Sequence, residues 1–540
     1  MAPALGRSSH DGAAATFANA APAFADANPA LADANPAGRP AGADVRSSRA
    51  VIQPVVSLDR SRILARTAEE LFVVVRFEVP RPVRMETGAR PPLDFALVID
   101  RSGSMSDRGK ITHARDASRR LVDAMAPTDV LSVVDYDDEI TVLWPAGPLT
   151  HPWAVKERIG GLEPRGSTNL AGGLQAGIDE VSRWTDLSGI NRVFLLSDGL
   201  ANQGITSPRQ IADFVRRARG HGVTVSTLGL GLDYNEDLMQ TIAEAGGGNY
   251  YYVESPSQMN AIFERELSTL FATVAKDVRL RFECASGLRG VEVLGYDVVA
   301  ENGSVVVPLE NLYGGETRSV LLRLHLDPRD PGRFDLGSLR LDYTDCESNR
   351  AEDLTYRLRA EATEDEAAVH ASVNQDVAAE AMLMNAEEEH EQAVRDFERG
   401  DKGLAKTNLA ALSSKLEAAN AVLHDDRLEM KLQQLELESG DMDRADLDEA
   451  NRQMYLKGSK NLLYNAKKGK RAQYMLQEAD TGFEVEQLQN RLKELQIYAG
   501  PVDGRYSEEV RRAVEAYQGQ NGFDPDGIAG PITLRALGLY

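Results

Sequence analysis

Between Pro91 and Ala275 short apolar runs alternate with longer segments of helical periodicity. The predicted strands are 94–99, 130–136, 192–197, 222–229 and 249–253, and the predicted helices are 109–126, 168–185, 207–219, 235–245 and 256–274. Runs such as Val193-Phe194-Leu195-Leu196 have no polar face and demand cover on both sides. Strand and helix in strict alternation predict an α/β doubly wound, Rossmann-like sheet.

In such sheets ligands lie beyond the carboxyl ends of the strands. The first strand ends Leu97-Val98-Ile99-Asp100-Arg101-Ser102-Gly103-Ser104-Met105, passing abruptly from apolar residues to an acid and two hydroxyls, with a glycine for the turn. Gly166-Ser167-Thr168-Asn169 opens a helix and presents the Thr168 hydroxyl, and Ser197-Asp198-Gly199 ends another strand in a carboxylate. Asp100, Ser102, Ser104, Thr168 and Asp198 thus offer two carboxylates and three hydroxyls, hard oxygen donors without sulfur or imidazole. That set suits Mg2+ or Mn2+, with Ca2+ as a further candidate. Asp-x-Ser-x-Ser by itself is also what a strand-end turn held by Asx and Ser hydrogen bonds looks like. Thr168 and Asp198 favour the metal reading. Arg101 and Met105 have no assigned chemistry, and Asp135-Tyr136-Asp137-Asp138-Glu139 reads as a solvated acidic loop, with a second cation as the alternative.

The three separated motifs resemble the metal-ion-dependent adhesion site of the von Willebrand factor A (VWA) family over about 91–275, including Leu228-Gly229-Leu230-Gly231 and Ala245-Gly246-Gly247-Gly248-Asn249-Tyr250. The resemblance implies that Ser102, Ser104 and Thr168 reach the ion by hydroxyl, and Asp100 and Asp198 directly or through water. It also implies recognition of a protein partner whose acidic side chain fills the open coordination position.

Enzyme motifs fail. Gly103-x5-Gly109-Lys110-Ile111 has one residue too many for a phosphate loop and lacks its Ser/Thr. Gly229-x-Gly231 is followed by Tyr234 where a dinucleotide fold needs a third glycine. Neither His-Glu-x-x-His nor Gly-x-Ser-x-Gly occurs. The expectation is therefore a non-enzymatic binding protein; an enzyme of wall metabolism with unrecognised catalytic residues is an alternative. A formal net charge of -23 argues against nucleic acid. No apolar run reaches the roughly 18–20 residues of a membrane span.

Residues 1–50, rich in Ala and Pro, read as a disordered tail or linker. Asn19, Pro22 and Asp11 argue against a signal peptide, so the compartment is left open with the cytoplasm slightly favoured over the envelope. Residues 51–90 with 276–362 predict a β-sandwich into which 91–275 is inserted, and 363–480 predict three or four helices. Within those helices Glu387-Glu388-Glu389-His390-Glu391 reads as a solvated face and Lys467-Lys468-Gly469-Lys470-Arg471 as a charged helix end. Cys284 and Cys346 read as two unpaired thiols, or as one disulfide if the protein is exported.

Residues 484–540 predict three short helices, with Leu488, Leu492 and Leu495 on one apolar stripe and Val510, Ala513, Val514 and Tyr517 on another. Gly500-Pro501-Val502-Asp503-Gly504-Arg505-Tyr506 and Asp526-Gly527-Ile528-Ala529-Gly530-Pro531 resemble the peptidoglycan-binding domain family, with Ser507 and Tyr517 as departures. The resemblance implies docking to peptidoglycan or to a second partner. The flanking regions resemble those of bacterial VWA proteins that act as partners of AAA+ ATPases, which makes a cytosolic assembly factor the other alternative.

Overall fold

The computed structural model describes residues 52–80, 91–184, 189–253, 256–296, 298–301, 303–446, 448–467, 476–478, 480, 483–523, 525–537 and 539. The predicted tail 1–50 and Lys468-Gly469-Lys470-Arg471 lie outside the described residues.

Strands β1 (Val55–Leu58), β2 (Arg62–Leu64) and β3 (Glu69–Glu78) come first. The α/β unit follows: β4 (Leu93–Asp100), β5 (Val130–Tyr136), β6 (Ile140–Pro148), β7 (Ile190–Ser197), β8 (Val223–Leu230) and β9 (Gly247–Val253). Their order is β6-β5-β4-β7-β8-β9, parallel throughout except that β6 runs antiparallel to β5. Every residue of β4, β7 and β8 is buried, as strands covered on both faces require. The helices Lys110–Ala124, Pro152–Gly160 and Met259–Phe271 pack on one face, and Leu170–Ser182, Pro208–Gly220 and Glu236–Gly246 on the other.

The sequence reading missed β6 and the helix Pro152–Gly160. Strand β6 is an edge strand, mostly half-exposed and carrying Pro145 and Pro148, a composition tolerated only where a strand edge faces solvent.

Seven strands follow: β10 (Thr273–Cys284), β11 (Leu288–Leu294), β12 (Val299–Glu301), β13 (Ser304–Tyr313), β14 (Thr317–Leu326), β15 (Gly332–Asp345) and β16 (Arg350–Thr363). They form two sheets, β1-β3-β14-β11 and β12-β13-β10-β15-β16-β2. Leu71, Val73, Val75 and Phe77 of β3 share one core with Leu280, Phe282, Leu339 and Leu341. The strands before the α/β unit therefore complete a sandwich with those after it. Cys284 and Cys346 form no disulfide.

The helices Gln375–Glu398, Lys402–Leu423, Asp426–Ala445 and Glu449–Lys467 pack each against the next and the last against the first. Here the solvated-face reading of 387–391 holds for Glu388 and Glu389, which are exposed, and is corrected for Glu387 and His390. Glu387 and His390, three apart on one face, point inward and are buried. Lys431 Nζ lies 2.8 Å from Glu387 Oε2 and 3.1 Å from His390 Nδ1, and His390 Nε2 is 3.0 Å from Glu438 Oε2. Lys431, 44 positions along, supplies the charge that makes their burial tolerable. Lys467 pairs with Glu391 at 2.9 Å.

The tail has the helices Phe483–Glu494, Glu508–Asn521 and Pro531–Ala536. Leu488, Leu492, Val510, Ala513, Val514 and Tyr517 form its core, whereas Leu495 is exposed beyond the helix end. Ser507 caps the second helix through the Val510 amide. Each Asp-Gly turn is clasped by a buried glutamine: Gln489 accepts from the Asp503 and Gly504 amides, and Gln518 from the Gly527 amide. No described helix is long and apolar enough to cross a membrane.

Candidate metal centre

Strand register brings the separated motifs together. Ile99 of β4 pairs with Leu196 of β7, so Asp100 and the Ser197-Asp198 step leave adjacent strands at the same level. The chain then turns back over the strand ends. The Arg101 amide donates to the Tyr136 carbonyl at 2.9 Å and the Gly103 amide to the Gly166 carbonyl at 3.1 Å. Met105, unassigned from sequence, is wholly buried in the core and anchors the turn.

Asp100 is fully buried. Its Oδ1 accepts from the Ser102 amide at 2.8 Å, and its Oδ2 from the Ser197 hydroxyl at 2.8 Å and the Tyr136 hydroxyl at 3.3 Å. Ser102 Oγ lies 3.1 Å from Ser104 Oγ, and Ser104 Oγ donates to Asp198 Oδ1 at 2.7 Å. Thr168 is held by Asn202, whose Oδ1 accepts from the Thr168 amide at 2.9 Å and whose own amide donates to the Thr168 carbonyl at 3.1 Å.

The three hydroxyls converge over Gly199. A Cβ there would stand 3.2 Å from Thr168 Oγ1, 3.4 Å from Ser104 Oγ and 3.9 Å from Ser102 Oγ. Glycine keeps that small space open, bounded by oxygen. All five predicted residues meet in one cluster.

Burial first, and then the charge of Asp198, pushes the Asp100 carboxyl up to about 6 against the hydrogen bonds from Ser102 and Ser197. Burial also raises Asp198, opposed by Lys110 and Ser104. Lys110 was missed from sequence, set aside with the failed phosphate loop. Its Nζ lies 2.7 Å from Asp198 Oδ2, and both residues are buried. Asn202, three residues after Gly199, was missed too, because a loop asparagine carries no spacing signal.

The solvated-loop reading of 135–139 holds for Asp138 and Glu139, which are exposed in the bend after β5, and is corrected for Asp135 and Asp137. Asp135 and Asp137 are buried, and Arg101 Nε lies 2.7 Å from Asp135 Oδ2 and 3.1 Å from Asp137 Oδ2. Arg165 Nε adds a contact to Asp137 Oδ2 at 2.6 Å. These arginines occupy the place that the alternative reading gave to a second cation.

Residues 94–265 match the von Willebrand factor type A domain family, and residues 481–537 match the putative peptidoglycan binding domain family. Over 194 residues the chain is 32% identical to the Escherichia coli (strain K12) protein YfbK, covering 36% of this chain and 34% of that protein. Over 271 residues it is 27% identical to the Synechocystis protein sll0103, covering 48% of this chain and 64% of that one. The chain thus spans less than two thirds of either relative's length. Among solved structures, a von Willebrand factor type A protein from Catenulispora acidiphila superposes with a TM-score of 0.61 at 17% identity, over 79% of this chain and 100% of that one, a likeness of fold. The chain carries a von Willebrand factor type A domain over residues 94–265 and a putative peptidoglycan binding domain over residues 481–537.

Proposed function

We propose that the protein is a non-enzymatic, metal-dependent binding protein, an adhesion or scaffold protein. Ser102, Ser104 and Thr168 would hold a divalent ion by hydroxyl, with Asp100 and Asp198 binding directly or through water. Five hard oxygen donors suit Mg2+, with Mn2+ and Ca2+ as the other ions of that preference. The observation that carries the reading is the convergence of three hydroxyls over Gly199 beside two buried carboxylates. Two acids this close disfavour each other's charged form, and a cation between them relieves that.

The ion, when bound, would supply an open Lewis-acidic position for a partner's carboxylate. The chain's residues make that position specific. Ser102 and Ser104 are fixed by the turn over Gly103, Thr168 is clamped by Asn202, and Tyr136 and Ser197 hold Asp100 from behind. Neutral hydroxyls leave the ion's charge only partly offset, which favours a carboxylate from outside.

The tail domain would dock to peptidoglycan or to a second protein. Two assays test the whole. Immobilised full-length chain is expected to retain a protein partner in Mg2+ and release it in EDTA, with Asp100→Ala retaining none. Co-sedimentation with purified peptidoglycan tests the tail. A partner held equally with EDTA contradicts the metal-dependent reading, and recovery of a cytosolic AAA+ ATPase in the Mg2+-dependent fraction would point to the assembly-factor alternative.

A further inference from the structure

Lys110 is the first residue of the helix Lys110–Ala124, delivered there by Gly109 in the left-handed conformation at φ 71°. A buried ammonium at a helix N-terminus is doubly unfavourable, because burial strips its water and the helix dipole opposes positive charge. Packing alone would be served by Met or Leu. What holds the ammonium is Asp198, whose Oδ2 lies 2.7 Å away. The backbone of Gly231 lies against the lysine stem: a Cβ there would come within 3.4 Å of Cε and 3.6 Å of Nζ.

We infer that Lys110 sets the charge of the metal site so that a bound dication stays electrophilic enough to take a partner's carboxylate; this rests on the reading proposed above. Lys110 bonds Asp198 directly, and the Ser102 and Ser104 hydroxyls link Asp198 to the Asp100 turn, so the cluster holds two carboxylates and one ammonium, a formal balance of one negative charge. Exposed Asp233 adds a weaker field at Asp198, screened by solvent. A dication in that setting keeps one net positive charge, which one incoming carboxylate neutralises. Without Lys110 the two carboxylates alone would neutralise the ion. The free protein would then hold metal more tightly and carboxylate less tightly. Lys110 therefore trades resident-metal affinity for ligand affinity. Its hydrogen bond to Asp198 Oδ2 also leaves Oδ1 to the Ser104 side of the cluster.

The test uses the full-length chain with Mn2+ as the probe ion and acetate as the probe carboxylate. Electron paramagnetic resonance titration gives Mn2+ affinity, and water-proton relaxation follows acetate displacing water from the bound ion. Lys110→Gln keeps an amide donor near Asp198 and removes the charge; Lys110→Met is the second variant should the first not fold. Mn2+ binding is expected to tighten on the order of tenfold while acetate binding to the Mn2+-loaded protein weakens on the order of tenfold. Opposite movements exclude a merely structural role, which would weaken both. If both affinities stay at the wild-type level, or both weaken together, the inference is overturned. Asp100→Ala separates the two claims. If wild type binds Mn2+ no better than Asp100→Ala, the metal reading falls and this inference with it. If wild type binds, Asp100→Ala does not and Lys110→Gln matches wild type, only the role of Lys110 falls.

Discussion

Lys457 Nζ donates to the main-chain carbonyl of Tyr234 at 2.8 Å and sits 4.1 Å from the centre of that residue's ring. The two residues are 223 positions apart. Lys457 belongs to the last bundle helix, whereas Tyr234 lies between β8 and the helix Glu236–Gly246, in the loop whose Gly231 packs on Lys110. The same ammonium reaches Glu236 Oε2 at 2.6 Å. The helical bundle thus grips the loop that borders the proposed metal site.

Lys457→Met keeps the stem's packing and removes the charge. The buried Tyr234 carbonyl then loses this donor, and Glu236 keeps only Lys460 of its two lysine partners. The expected loss is about 2–4 kcal/mol in denaturant unfolding. Amide exchange over 232–236 should quicken while the tail domain is unchanged. Unaltered exchange in the loop would show that the grip has no mechanical consequence.

Arg101 neutralises two buried acids at once. Arg101→Met should cost about 3–5 kcal/mol, because Asp135 and Asp137 are left facing each other with only Arg165 to help. Adding Asp135→Asn should recover part of that loss, giving a clearly non-additive double-mutant cycle. Additive losses would contradict the pairing.

Asp94 carries the pH prediction. Burial, and then the charge of Glu180, pushes its carboxyl up to about 7 from an ordinary value of 3.8. An acid raised on folding binds its proton more tightly in the native state, so stability from this group is present at low pH and is lost as pH rises through about 7. Asp94→Asn should therefore melt higher than wild type at pH 8, with the difference shrinking toward pH 5. A constant difference across that range would contradict it.

The bundle's polar centre behaves in the opposite sense. Burial would raise Glu387 and Glu438, but Lys431 and His390 more than offset it and bring both down to about 2. Their stabilisation is complete above the ordinary glutamate value of 4.5 and is lost as pH falls through about 2. Lys431→Met should destabilise by about 3–5 kcal/mol at neutral pH and flatten the acid limb of the stability curve. Wild-type acid sensitivity in that variant would rule out the network as its source.

What the sequence made legible was local and periodic. Strand β5, Val130–Tyr136, was read to the residue, because a buried strand's apolar run is its own signal. The meeting of the five candidate residues was readable because strand ends and helix starts of a doubly wound sheet converge at one edge. What escaped depends on partners far along the chain. Whether Glu387 and His390 face solvent or core turns on Lys431, and whether Asp137 in the bend after β5 is solvated turns on Arg101 and Arg165. Lys110 escaped differently: it sat beside the motif, but only the fold brings Asp198 to it. Leu495 fitted a helical stripe, but the helix ends one residue before it.

The hydroxyls over Gly199 and the carboxylates of Asp100 and Asp198 are proposed to form one cation site. Calorimetric titration of Mg2+ into the full-length chain tests it most directly, with Asp100→Ala measured alongside and the fold of both checked by thermal melting. One saturable Mg2+ site per chain is expected in the wild type, and its loss in Asp100→Ala. Equal Mg2+ binding by the two proteins, or none by either, would contradict it.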